Sequence, residues 1–453
     1  MPYLEQRAPL VIILGAFFCL SVPLALLHVV PNFLGFFPSV FLLYVVGLGT
    51  THFFVTLAVY LQAQNREHFR SSTRNRLIYF AAPPAILGLY ALSAATDFRA
   101  RHVELAAAVF SSLRFFDFFH VGRQSAGVLR LFERPRREAL PAWLPRAENA
   151  FFVGMALLQW ETFLLGGRFG ADRVSARIPA IMLAVIALAI IASHARSWLA
   201  SRALSTHATS HAWLPLLYFA LQAASAAAAV WQTRLYLSAL AMHYVEYHVM
   251  MRPRCFETPL DTRHALDRAA AFVRERRGLF YGLLLAVAVG FELRSYAPAD
   301  LSPSTTFCVH VFDGIFLVHY FLEAFLWKFS DPFYRRTLGP LYLEPHPRPS
   351  RAAPRPWPQA APWLALALLS ALVLAAFQGW LASAVRSVDQ LALAPLGAEN
   401  HLRWGIDFAR RGELASARRH LDLAERLHQG DPRTTAARLW LQRQLASQGS
   451  SEP

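Results

Sequence analysis

Charge is scarce in this chain. Of its 453 residues only 16% are charged, whereas an ordinary soluble domain carries about 25%. With 55% hydrophobic residues in long recurring blocks, one large soluble core is excluded and a multi-pass membrane protein is expected. Lysine is almost missing: of 44 basic residues, all but Lys328 are arginine. Cysteine is rare too. Cys19, Cys255 and Cys308 stand alone with no C-x-x-C pair, which excludes a disulfide framework and a thiolate zinc site. No nucleic-acid-binding motif is present. The net charge of +15 therefore has another source. The arginines cluster in short segments between apolar blocks, which is the pattern of the positive-inside rule.

What is present is a series of apolar runs, about eleven in number. They cover 8–30, 37–61, 77–95, 103–121, 149–167, 178–198, 213–230, 234–251, 279–294, 304–328 and 362–384. The first is long and lacks a small-x-small cleavage site, so it reads as a retained helix, not a signal peptide. Residues 213–251 are too long for one helix across a ~30 Å core and long enough for two. Arginine-rich segments follow the second, fourth, eighth and tenth runs, which places them on one face, the cytoplasm. The expected location is a bacterial-type inner (plasma) membrane, with the N-terminus cytoplasmic and the C-terminal tail on the opposite face. The expected fold class is all-α: a polytopic membrane helical bundle with a small C-terminal helical hairpin. Residues 1–342 form the membrane domain, 343–361 a Pro-rich linker, 362–384 a last span and 385–453 a soluble helical tail.

Ionisable residues inside apolar runs are costly and by default mark functional sites. The second run carries His52, with Thr56 and Tyr60 on the same face at four-residue steps; His68 follows its end. The fourth carries Asp117, His120, Arg123 and Gln124. Arg114, one turn before Asp117, offers a purely structural partner for it. The eighth carries His243, Glu246 and His248. The tenth carries His310, Asp313, His319, Glu323 and Lys328.

The topology puts His68, His120, His243 and His248 near the cytoplasmic boundary and His52 and His319 roughly 12–14 Å above it. Six imidazoles from four helices thus share the inner part of the bilayer. His194 is an undecided further candidate. Any single one of these histidines is explained by a bond to a carbonyl or a lipid headgroup. The joint pattern of imidazoles and carboxylates is the usual ligand set of iron, zinc and manganese. A structural polar network or proton path, and a haem axial pair, are the alternatives. His52, His120, His243, His248 and His319 are the metal-ligand candidates, with Glu246 and Glu323 as ligands or orienting carboxylates. His68, Asp117, His310 and Asp313 are secondary candidates. On a straight helix His243 and His248 lie about 140° apart, so one ion takes both only if the helix unwinds. Arg123 and Gln124 could bind a substrate headgroup or cap the helix. Lys328 could snorkel to the interface or take part in chemistry.

Histidine-rich motifs at the cytoplasmic ends of several spans resemble the membrane-embedded di-iron oxygenases and desaturases. The pattern is also similar to bacterial membrane carotene-cleaving enzymes, which scatter histidines over several helices. Only His243 to His248 approaches a desaturase H-x(3,4)-H box, and there is no adjacent His-His pair. The resemblance covers about residues 45–330 and implies an iron- and oxygen-dependent oxidoreductase with one or two iron ions. Its substrate would be a lipid or isoprenoid chain entering from the bilayer. A transporter or an assembly factor is the competing expectation. In the tail, Gly405, Phe408, Ala417, Leu421 and Ala424, with a turn at Gly412-Glu413-Leu414, resemble a single tetratricopeptide repeat (TPR). That resemblance implies a docking surface for a protein partner; packing of the hairpin on itself is the alternative.

Overall fold

Among the described residues the apolar blocks form helices. The structure is a computed structural model that describes residues 45–95, 103–134, 140–164, 174–203, 213–231, 236–258, 260–295, 303–342, 398–427 and 430–449. Among these residues there is no strand. The expected first span, the Pro-rich linker and the last span lie outside them. So do the side chains of His310 and Asp313.

A π-helical turn Val45–Thr50 leads into α1 (Thr51–Leu57) and a 3₁₀ turn Ala58–Leu61. The chain breaks at the extended Gln62 and continues as α2 (Ala63–Arg70) and the short α3 (Thr73–Arg76). Two ties hold this break. Gln62 Nε2 donates to Arg254 O at 2.7 Å, and Asp267 Oδ1 accepts from Ala63 N at 2.8 Å. A second π turn, Leu77–Ala81, precedes α4 (Ala82–Ala95). Pro83 has no N–H to give the carbonyl of Tyr79. The Tyr60 hydroxyl donates to that carbonyl instead, at 2.7 Å.

The bundle continues with α5 (Val103–Glu133), α6 (Leu144–Leu164), α7 (Val174–Ala203) and α8 (Leu214–Trp231). Then come α9 (Tyr236–Phe256), α10 (Ala265–Glu275), α11 (Arg277–Ser295), α12 (Pro303–Leu326) and α13 (Pro332–Tyr342). Residues 213–251 are divided between α8 and α9, as their length requires. Several helices run further than expected, two of them in a way that matters for the site. α5 continues twelve residues past position 121 and α9 five past 251, because Val128, Leu129, Phe132 and Phe256 still find core to enter. Arg123 and Arg130 are therefore helical and not loop residues.

One apolar core joins these helices. The periphery is apolar as well: Ile181, Val185 and Leu188 on α7 are 64%, 60% and 66% exposed, and Leu279, Leu283 and Val287 line an outer face of α11. Among the described residues one helix, Ile178–Ser201, is long and apolar enough to cross a membrane, and shorter apolar helical runs include Leu214–Val230 and Gly314–Leu326.

The tail has its own core. α14 (Ala398–Arg410), α15 (Leu414–Leu427) and α16 (Pro432–Gly449) bury Leu402, Ala417, Leu421, Ala424 and Leu441 together. Gly412, at φ +81°, makes the turn between α14 and α15. Gly405 permits their close approach, since a Cβ there would lie 2.5 Å from Leu421 Cγ.

Candidate metal centre

Four imidazoles meet in the core, each from a different helix: His52 on α1, His120 on α5, His243 on α9 and His319 on α12. They are 0%, 8%, 2% and 1% exposed. The rings form a closed square. His52 lies 5.2 Å from His243 and 4.5 Å from His319, while His120 lies 5.2 Å from His243 and 5.0 Å from His319, all between ring centroids. Ligand atoms of His52, His243 and His319 lie within 4.8 Å of one another.

The expected levels of these residues need correction. The sequence predicts His120 and His243 at the cytoplasmic boundary, below His52 and His319. Instead each lies thirteen residues before the end of its lengthened helix, α5 or α9, and stands level with the other two.

Local backbone aims the rings. The π turn before α1 leaves carbonyls without the usual helical partner, and side chains take them. Thr51 Oγ1 donates to Gly47 O at 2.7 Å, and His52 Nδ1 bonds Gly49 O. A carbonyl only accepts, so His52 carries its proton on Nδ1 and turns a lone pair on Nε2 into the square. Gly49 also lets α9 approach: a Cβ there would sit 2.8 Å from Tyr244 Cε2, and the Tyr244 ring packs 4.6 Å from His52.

A relay fixes His319. Tyr247 donates its hydroxyl proton to Glu323 Oε1 at 2.6 Å. Thr56 Oγ1, 2.6 Å from that hydroxyl, must then donate to it, and so accepts from His319 Nδ1 at 2.7 Å. The carboxylate thus sets the tautomer of His319 through two hydroxyls and leaves its Nε2 free. Buried and without a hydrogen-bond partner are His52 Nε2, His120 Nε2, His243 Nδ1 and His319 Nε2. A buried acceptor left unsatisfied costs about 1–3 kcal/mol. A cation bound among these nitrogens would satisfy them together, so the buried histidines could hold a metal ion.

The remaining candidates are engaged elsewhere. His248 Nε2 lies 3.2 Å from Thr51 Oγ1 and from Leu48 O, outside the square, as the angle between positions 243 and 248 anticipates. Glu246 faces α8, accepting from Tyr218 at 2.8 Å and Gln222 at 2.7 Å. Asp117 pairs with Arg114 at 3.3 Å and accepts from Tyr320 at 2.7 Å; the Tyr320 ring in turn packs 4.9 Å from His120. His68 stacks on Phe333 at 3.9 Å. Arg123 bonds Asn149, and Gln124 donates to His243 O at 3.1 Å. Lys328 lies just after α12, where its carbonyl accepts from Asp331 N at 2.8 Å. Glu323 reaches the square only through Tyr247 and Thr56.

Two features escaped the sequence. Tyr247 and Thr56 form the relay, and nothing but proximity in space reveals that. Glu133 and Glu148 join His194 in a second buried group; both lie outside the expected apolar runs. Compared with protein-family models, with curated proteins and with solved structures, the chain matches none.

Proposed function

We propose that this chain is an integral membrane, metal-dependent oxidoreductase with its metal held by His52, His120, His243 and His319. The observation that carries the reading is the convergence of four orphaned imidazole nitrogens from four helices. Donors that are all imidazole, with a carboxylate behind one of them, suit iron, with zinc or manganese as competitors. One imidazole per helix fits the scattered pattern of the carotene-cleaving enzymes better than the paired boxes of desaturases. With Glu246 and Glu323 turned to other partners, a single ion is favoured over a pair. Bound iron would supply oxygen activation. The chain's own residues orient the rings, keep water out and leave an apolar wall of Phe53 and Phe316 beside His52 and His319.

The outward apolar faces of α7 and α11 support a bundle embedded in lipid. In this reading the N-terminus is cytoplasmic and the tail lies on the opposite face. The substrate would be a lipid or isoprenoid chain arriving sideways, and the TPR-like tail a docking surface for a protein partner. One observation favours a second reading: the chain His319–Thr56–Tyr247–Glu323 is built like a proton path, as in a transporter. Replacing His243 and His319 with Ala separates the two. Loss of bound iron with an intact fold supports the oxidoreductase; loss of proton-coupled flux in a protein that never held metal supports the transporter.

A further inference from the structure

The end of α5, the start of α6 and the last third of α7 come together around a second polar group. Glu133, Glu148 and His194 are 3%, 1% and 3% exposed. His194 Nε2 lies 2.9 Å from Glu148 Oε1 and 3.3 Å from Glu133 Oε1. One ligand atom from each residue falls within 4.8 Å of the others. Glu148 Oε2 and Glu133 Oε1 make no well-aligned hydrogen bond, although Glu133 Oε1 faces His194 Nε2. The Phe219 ring packs against His194 at 6.4 Å. Arg130, whose charge acts on both carboxylates, is exposed and bonds Pro145 O at 3.4 Å.

Two buried carboxylates this close repel each other unless a shared proton or a cation sits between them; a proton serves one pair of oxygens, a divalent cation all of them. A neutral imidazole and a single rim guanidinium supply too little. A divalent cation would neutralise both carboxylates and engage these oxygens. We infer that Glu133, Glu148 and His194 form a second divalent-cation site, distinct from the histidine square. Two oxygen donors and one nitrogen donor suit a borderline ion of the Mn²⁺, Fe²⁺ or Zn²⁺ class. The site is not a second half of the first centre. Glu133 is thirteen residues beyond His120 on α5, a separation of about 20 Å at helical rise. Its place between the end of α5, the start of α6 and the last third of α7 fits a structural clamp that fastens the three helices.

The test loads the full chain in detergent with Mn²⁺ alone and measures retained metal by elemental analysis after gel filtration. A variant with His52, His243 and His319 replaced by Ala should keep about one ion per chain, and adding Glu133→Gln and Glu148→Gln should remove it. In the otherwise native chain, E133Q with E148Q should lose about one ion and leave the histidine centre loaded. Equal Mn²⁺ in E133Q/E148Q and the native chain, or none in the histidine variant, overturns the inference. Loss of all metal from the histidine variant together with retention in E133Q/E148Q supports the first centre alone. Should the glutamine pair fail to fold, electron spin-echo spectra of Mn²⁺ on the native chain decide. They should contain a component with coupling to a single imidazole nitrogen; couplings to several nitrogens only, or to none, reject the site.

Discussion

Thr56→Val removes one oxygen from the middle of the relay while keeping the shape of the side chain. Thr56 is fully buried, and its Oγ1 sits 2.7 Å from His319 Nδ1 and 2.6 Å from the Tyr247 hydroxyl. Valine leaves the His319 N–H without an acceptor, and the Tyr247 oxygen loses its donor. Each loss costs about 1–3 kcal/mol in the interior, so the native state should lose roughly 2–6 kcal/mol. The effect on metal is separate. Removing an outer partner of a ligating imidazole weakens metal affinity by about 10–100-fold. Tyr247→Phe cuts the same relay one step further out, and the two changes together should cost less than their sum because they share one network. Competition titration against a chelator of known affinity reads the metal effect, and denaturant unfolding reads the stability. A lowered stability with metal affinity unchanged within about twofold would refute the argument that the relay orients a ligand.

Other expectations rest on single contacts. Gly49→Ala puts a Cβ 2.8 Å from Tyr244 Cε2, and overpacking of this kind costs about 1–3 kcal/mol; a melting temperature equal to that of the native chain contradicts it. Asp267→Ala strips acceptors from Ala63 N, Arg66 and Asp261 N, at 2.8, 3.1 and 2.9 Å. Breaking a buried pair of this kind costs about 3 kcal/mol, and hydrogen exchange should rise first in residues 62–70. In the tail, His401 and His420 share a bond between their Nδ1 atoms at 3.0 Å. Burial, then the neighbouring His401, pushes the His420 pKa down to about 4, below its ordinary value of about 6.5. Between those values the unfolded tail binds more protons than the folded one. The tail is therefore fully stable above about pH 6.5 and loses up to roughly 3 kcal/mol as the pH falls towards 4. Hydrogen exchange of residues 398–427, corrected for intrinsic rate, should show less protection at acid pH, and pH-independent protection contradicts it.

How much of this was legible beforehand differs from element to element. The helical class followed from apolar runs, and the split of 213–251 followed from length. The four helices bearing His52, His120, His243 and His319 were identifiable because buried imidazoles are conspicuous among Leu, Phe and Ala. Their common level was not. A span read from hydropathy stops where arginines begin, whereas α5 continues past Arg123 and Arg130 by placing them outward and Leu129 and Phe132 inward. That extension also carries Glu133 to Glu148 and His194. The phase of His52 depends on a π turn, which leaves no composition signature. His248 was a ligand candidate in the sequence; it lies outside the square because α9 runs unbroken through 243 and 248 and turns the two rings apart.

The central claim is that a metal sits among four imidazoles. X-ray absorption of the iron-loaded E133Q/E148Q protein tests it most directly, since only the histidine square can then contribute. The account predicts about one iron per chain, with about four imidazole nitrogens near ~2.1 Å. Less than about a tenth of an iron per chain after anaerobic loading, or a shell of carboxylate oxygens without imidazole scattering, would contradict it.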